Sequence, residues 1–154
     1  MATAIQVQPG TTFPVIVVDT WGANNAIVAG NLTVTALQDV TINNANDIFT
    51  YTVLSSAGKQ QVPTTATNSI STNLVVDETL FFGTGTTALA SNAAVNGLLG
   101  LSTTKAKCRI SVVMGTKTFT ANAYVTGLAP TVSADSPVWV TPVTFSVSGD
   151  YTVS

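Results

Sequence analysis

The chain has 154 residues, a length that suits one domain with a sizeable core, and 45% of them are hydrophobic. Only 8% are charged, the formal net charge is −2, and there is one cysteine and no histidine. These values exclude a strong field for attracting nucleic acid or anionic membrane, an internal disulfide, and any chemistry that turns on imidazole. Thr, Ser and Asn take the place of the missing charges, and abundant Thr and Val favour strands because β-branched side chains suit a pleated surface. A free monomer keeps itself soluble with charged surface, whereas a chain covered by neighbours has less need of it. No apolar run approaches the roughly 20 residues of a membrane span. Residues 1–10, MATAIQVQPG, have neither the basic region nor the apolar core of a secretory signal, so synthesis in a reducing cytosol is expected.

Residues 4–8 read as a short strand with Ile5 and Val7 on one side, broken by Pro9-Gly10. Residues 13–18 are apolar on both parities and should be buried on both faces or packed against a neighbour. Trp21 and Gly22 fall in a loop over residues 19–25. A strand follows over 27–37, with Leu32, Val34 and Ala36 inward and Gly30 at a bulge or bend. Residues 38–46 are polar and turn-rich. Two alternating runs, 47–54 and 69–76, flank the polar stretch SSAGKQQVPTTATN, residues 55–68. They read as the two strands of one long β-hairpin with an extended tip. Phe49, Tyr51 and Val53 share a parity on the first strand, and Ile70, Leu74 and Val76 on the second.

Asp77-Glu78 ends this hairpin, and Leu80, Phe81 and Phe82 read as a brief strand. SNAAVNGLLGL, residues 91–101, is the one convincing helix: Ala94, Val95, Leu98 and Leu99 form its apolar face, Ser91 or Asn92 caps its start, and Gly100 its end. Residues 105–114 give the clearest strand, with Ala106, Cys108, Ile110, Val112 and Met114 on one face and Lys105, Lys107, Arg109 and Ser111 on the other. Gly115-Thr116 suits a two-residue turn into a strand over 117–126, with Phe119, Ala121, Ala123 and Val125 inward. After a loop over 127–137, a strand over 138–148 carries Trp139, Val143, Phe145 and Val147 on one parity, and Pro142 marks it as an edge or bulged strand. Gly149-Asp150 is expected to turn the chain into a short last strand over 151–153. The whole, 1–154, reads as a single mainly β domain: an antiparallel β-sandwich or barrel with one flanking α-helix and one long β-hairpin loop. The expected core includes Leu32, Val34, Leu98, Ile110, Val112, Phe119, Val125 and Phe145.

The chemistry of an enzyme is missing, and no catalytic residue, metal site or cofactor is expected. The chain has no GxGxxG, GxxxxGK[ST] or GxSxG motif. Asp77-Glu78 is the one adjacent carboxylate pair, and neighbours in a strand point to opposite faces. Asp39, Asp47 and Asp77 offer carboxylates to a glycosidase, but nothing selects a pair. Cys108 lies on an apolar strand face, as a small core residue does. Trp21 and Trp139 would suit sugar stacking, but Trp139 shares the parity of Val143 and Phe145 and so reads as core. Lys105, Lys107 and Arg109 form the single basic cluster. It reads as a solvated face or as a subunit contact in which these cations meet Asp77 and Glu78 of another copy.

From the long hairpin onward the layout resembles that of the phage tail tube proteins, or major tail proteins. The residues behind the resemblance are the hairpin over 47–76, the helix over 91–101, and KTFTANAYVTGLAPTVSADSPVWVTPVTFSVSGDYTV, residues 117–153. The resemblance implies a structural virion protein that forms homo-oligomeric hexameric rings, stacked into a hollow tube. It implies genomic DNA passing through the lumen without specific binding, partners among tail terminator, baseplate or tip proteins and the tape measure protein, no membrane, and a virion tail assembled from protein made in the host cytoplasm. Scarce positive charge fits a conduit, since phosphate contacts would hold DNA rather than let it slide. The hairpin, with Phe49, Tyr51, Val53, Lys59, Val62, Ile70 and Leu74, is the expected contact between rings. A capsid decoration protein and a carbohydrate-binding β-sandwich module are the alternative readings.

Overall fold

The computed structural model describes residues 16–35, 37–55, 57–64, 67–85 and 92–154. The strands are β1 (Ile16–Trp21), β2 (Ile27–Val34), β3 (Leu37–Asn43), β4 (Asp47–Tyr51), β5 (Gln60–Thr64), β6 (Asn68–Val75), β7 (Cys108–Met114), β8 (Lys117–Leu128), β9 (Val140–Val147) and β10 (Thr152–Val153). Two helices, α1 (Glu78–Phe82) and α2 (Ala93–Thr104), lie between β6 and β7. The strand expected over 4–8, the inward Ala36 and the cap at Ser91 lie outside the described residues.

One antiparallel sheet runs in the order β2-β1-β7-β8-β9-β6-β3, while β4 and β5 form a separate two-stranded ribbon. The sheet does not close into a barrel; it is sandwich-like and ends in β2 and β3. Alternation sets its faces. Cys108, Ile110 and Val112 are buried while Arg109 and Ser111 between them are not. Val18 stands opposite Ile110, and Ile110 opposite Ala121, so the inward residues of β1, β7 and β8 stack in one row. A slip of one residue would send this row to the other face, which pins the register. Leu32, Val34, Ile70, Leu74, Val143 and Phe145 complete the sheet's part of the core, and Leu80, Leu98 and Leu101 close it from the helices. Each such side chain contributes about 1.5–3 kcal/mol by leaving water.

Gly115 has φ 63° and Met114 pairs with Lys117, as the expected two-residue turn requires. Gly30, with φ 103°, sits in β2 where its pairing with β1 shifts register. Met114, expected inward, is exposed because it stands at this hairpin's tip, and Phe119 is half-buried against Tyr151, with its ring 6.1 Å away.

Several elements differ from the expectation. Of the polar residues expected as turns over 38–46, those at 38–43 belong to β3, an edge strand that tolerates exposed polar side chains on its outer face. β6 therefore pairs with β3 and β9, not with residues 47–54. The true hairpin is smaller: β4 pairs with β5, which lies inside the stretch expected as tip. Leu80-Phe81-Phe82 belong to α1, whose first free N–H groups are served by Asp77, its side chain accepting from Leu80 N at 3.0 Å. In α2, Asn92 caps the start by accepting from Val95 N at 2.8 Å, but Gly100 does not end the helix; Lys105 does, in the left-handed conformation. Gly97, at φ 65° and ψ 179°, interrupts α2 and turns its apolar face, so Leu98 and Leu101 are buried while Leu99 faces out.

β9 is an inner strand in spite of Pro142. Val76 N donates to Trp139 O, so along β6 and β9 the pair Asn73–Pro142 exchanges no ladder bonds. The proline nitrogen faces β8, whose pairing with β9 ends at Leu128–Val143. Ser148-Gly149-Asp150 does not reverse the chain: both β9 and β10 run antiparallel to β8, so these residues are a bulge within one line of chain.

Candidate subunit interface

The arm is the ribbon β4–β5 with its loop, leaving the body between β3 and β6. Cross-strand pairs share a face. Phe49 stands opposite Val62 with Tyr51 beside them on one face, and Ile48 stands opposite Pro63 on the other. The rings of Phe49 and Tyr51 stack at 6.1 Å and 22°. Every residue of β4 and β5 is exposed, Phe49 at 60%, and Val53, Leu54 and Lys59 in the loop are exposed too. Apolar groups on both faces of a two-stranded ribbon give it no buried side of its own, and such a ribbon is marginal in water without a surface to lie on. Of the expected contact residues, Phe49, Tyr51, Val53, Lys59 and Val62 lie on this arm. Ile70 and Leu74 do not: β6 is an inner strand, both are fully buried in the core, and neither is open to a neighbour. Ile48 and Leu54 were not among the expected contacts; adjacent apolar residues at 48 and 49 were the signal that neither face is buried.

The root of the arm is tied to the body. Asn43 and Ser69 are the last pair of the β3–β6 ladder. The Tyr151 hydroxyl lies 2.8 Å from the Asn43 carbonyl and 2.9 Å from that of Ser69, sharing its one proton between them. Its ring meets the Phe119 ring edge-on, and burial pushes its hydroxyl above the ordinary pKa of 10.0. Ala45 N donates to the buried Asn68 side chain at 3.3 Å.

A second exposed apolar group lies at the other end of β6 and β9. Val75 pairs with Val140, and Val76 N donates to Trp139 O at 2.8 Å. Thr131 and Val140 exchange two backbone hydrogen bonds, which fold residues 131–139 into a rim. Val132, Val138 and Trp139, the last 52% exposed, face outward there with the exposed Asp135 between them. Trp139 keeps the parity of Val143 and Phe145 but stands beyond the end of the sheet, where there is no core to enter.

Two cations of the basic cluster, Arg109 and Lys107, are engaged inside the chain. Arg109 lies opposite Asp19 in the β1–β7 register, and its guanidinium donates to the Asp19 carboxylate at 2.9 Å. Lys107 Nζ sits 5.7 Å from the centre of the Trp21 ring, whose Nε1 donates to Asn122 at 2.8 Å. Lys105 ends α2 and is not on the strand. Asp77 is occupied as a helix cap, and Glu78 is exposed in the first turn. Of the residues expected to join Lys105, Lys107 and Arg109 to Asp77 and Glu78 of another copy, Arg109 is thus engaged by Asp19 and Asp77 by the helix it caps, both within the chain. Cys108 is fully buried, and burial pushes its thiol from 9.0 up to about 12, which keeps it from acting as a thiolate. Among the described residues no cluster of three or more metal-ligating side chains occurs.

The sequence matches no protein-family model and no curated protein. The structure is similar to a chain in the tail of an empty gene transfer agent particle computed with helical refinement and C6 symmetry, at a TM-score of 0.62 and 13% identity, covering 96% of this chain and 99% of that one. It is also similar to a chain of the native gene transfer agent virion, at 0.58 and 12%, covering 96% and 99%. A third similar chain belongs to the six-fold symmetrised baseplate of the anti-feeding prophage, at 0.56 and 8%, covering 100% and 97%. Over nearly its whole length, then, the chain has the fold found in these phage-like tail assemblies, the fold that the resemblance to phage tail tube proteins implies.

Proposed function

We propose that the chain is the subunit of a tail tube: hexameric rings stack into a hollow tube through which genomic DNA passes during ejection. The observation that carries this is the arm, a ribbon apolar on both faces projecting from a body whose fold is shared with chains of six-fold assemblies. The arm is the contact with the adjacent ring, its ordering completed by the neighbour. A ring closes by heterologous contacts between its copies, and β2 and β3, the end strands of the sheet among the described residues, supply strands able to make them. The chain carries five basic residues, and Arg109 and Lys107 are engaged within it, so little positive charge is left to grip a phosphate backbone. The partners are further copies, together with the proteins that end the tube at the terminator and the baseplate or tip and the tape measure inside it. The protein acts in the virion, after synthesis in the host cytoplasm.

Electron microscopy of the concentrated protein tests this. Tubes are expected. Free trimers would point to a capsid decoration protein, and a sugar-dependent rise in melting temperature to a carbohydrate-binding module. Replacing residues 48–63 with Asn-Gly closes the ribbon at the Asp47–Thr64 pair and leaves β3 and β6 intact. This variant should stay folded and form no long tubes; full-length tubes would remove the arm from the inter-ring contact.

A further inference from the structure

We propose that the rim formed by Val132, Val138 and Trp139 around Asp135 is the socket that receives the arm of the next copy. The inference rests on the stacked-subunit reading and adds the surface on the other side of its main contact. A head-to-tail stack needs two different surfaces at opposite ends of one subunit. Arm and rim occupy opposite ends of the same two strands. At the arm's root Asn68 pairs with Val147, and at the rim Val75 pairs with Val140. Seven residues of strand separate them, about 23 Å at 3.3 Å per residue.

Chemistry matches as well as position. The arm offers exposed Phe49, Tyr51, Leu54 and Val62, and the rim answers with an exposed indole and two valines. The one cation of the arm is Lys59, in its loop. The rim carries the exposed Asp135, and the exposed Glu78 follows β6 at the same end. In a chain with only five basic and seven acidic residues, one lysine facing an acidic rim sets register and polarity: arm-to-arm contact would bring Lys59 to Lys59, and rim-to-rim contact acid to acid. A tryptophan at the centre of such a contact is the residue type that most often dominates its energy.

The test uses the full chain and reads the protein concentration at which tubes first form. Trp139→Ala, at an exposed position, should raise that threshold by about tenfold or more, and Lys59→Glu and Asp135→Lys should each raise it several-fold while their combination restores it. Position is read independently by a Leu54→Cys, Ser136→Cys variant. Cys108 is buried and stays silent, so oxidation of assembled protein should give a ladder of disulfide-linked multimers that neither single variant gives. Wild-type tubes together with unchanged thresholds in the three variants and no ladder would overturn the socket and leave the tube reading standing. Absence of tubes from the wild-type protein would overturn both.

Discussion

Tyr151→Phe isolates the fastening at the root of the arm. The substitution removes one oxygen and leaves the ring in place against Phe119. What is lost is the hydroxyl proton shared by the carbonyls of Asn43 and Ser69, at 2.8 and 2.9 Å. A neutral hydrogen bond of this kind contributes about 0.5–1.5 kcal/mol net. The site is only partly buried, so water can reach the freed carbonyls and the loss should lie in the lower half of that range. For a domain of this length 1 kcal/mol moves the melting temperature by about 2–4 °C, so a fall of roughly 1–4 °C is expected. The more telling effect is local. Asn43–Ser69 is the last rung before the chain leaves the sheet, so amide exchange should quicken at residues 43–47 and 67–69 while β7 and β8 exchange as before. An unchanged melting temperature with unchanged exchange at the root would refute the claim that this hydroxyl holds the arm's exit.

Ile110→Ala and Leu98→Ala each leave a cavity in a site with no exposure, and each should cost about 2–5 kcal/mol, read by chemical denaturation. A double-mutant cycle on Asp19 and Arg109 should give a coupling of about 0.5–1 kcal/mol, because the guanidinium is 38% exposed and solvent weakens the pair; a coupling of zero would place these two charges in solvent. The unfolded thiol of Cys108 ionises near 9.0 and the folded one near 12, so the unfolded state binds fewer protons in between and stability should fall as pH rises through that window; Cys108→Ser should flatten the fall, and thiol reagents should label the native protein only on unfolding.

Alternation made the central sheet legible: buried Cys108, Ile110, Val112, Ala121, Ala123 and Val125 follow from period-two patterning, and Gly115 between the two runs marks the turn. Partnership was less legible. The sequence marks residues 69–76 as a strand, but whether it pairs with 47–54 or with 37–43 depends on which segment can lie beside it, and Gln38, Asp39 and Asn43 disguise an edge strand as a turn. α1 was hidden by length, since five residues cannot show a helical period, and its one local signal was Asp77 in the capping position. For the candidate interface, the apolar parity of Phe49, Tyr51 and Val53 was visible, but periodicity does not say whether a face is turned to a core or to another molecule. Trp139 shows the same limit from the other side, with the right parity placed one step past the sheet.

The break in α2 has a consequence for how this sequence can drift. The residues just after α1 and the first turn of α2 meet backbone to backbone: Thr84 N donates to Ala94 O and Gly85 N to Val95 O. A methyl group on Gly83 would collide with Val95 O, and one on Gly97 with Gly83 N. Both residues also hold positive φ, 81° and 65°. The two glycines are therefore a single constraint written at two addresses. Neither can be replaced first, and replacing one does not free the other. Relatives that keep this corner should carry both glycines, and relatives that have lost either should have rebuilt the path from β6 to β7.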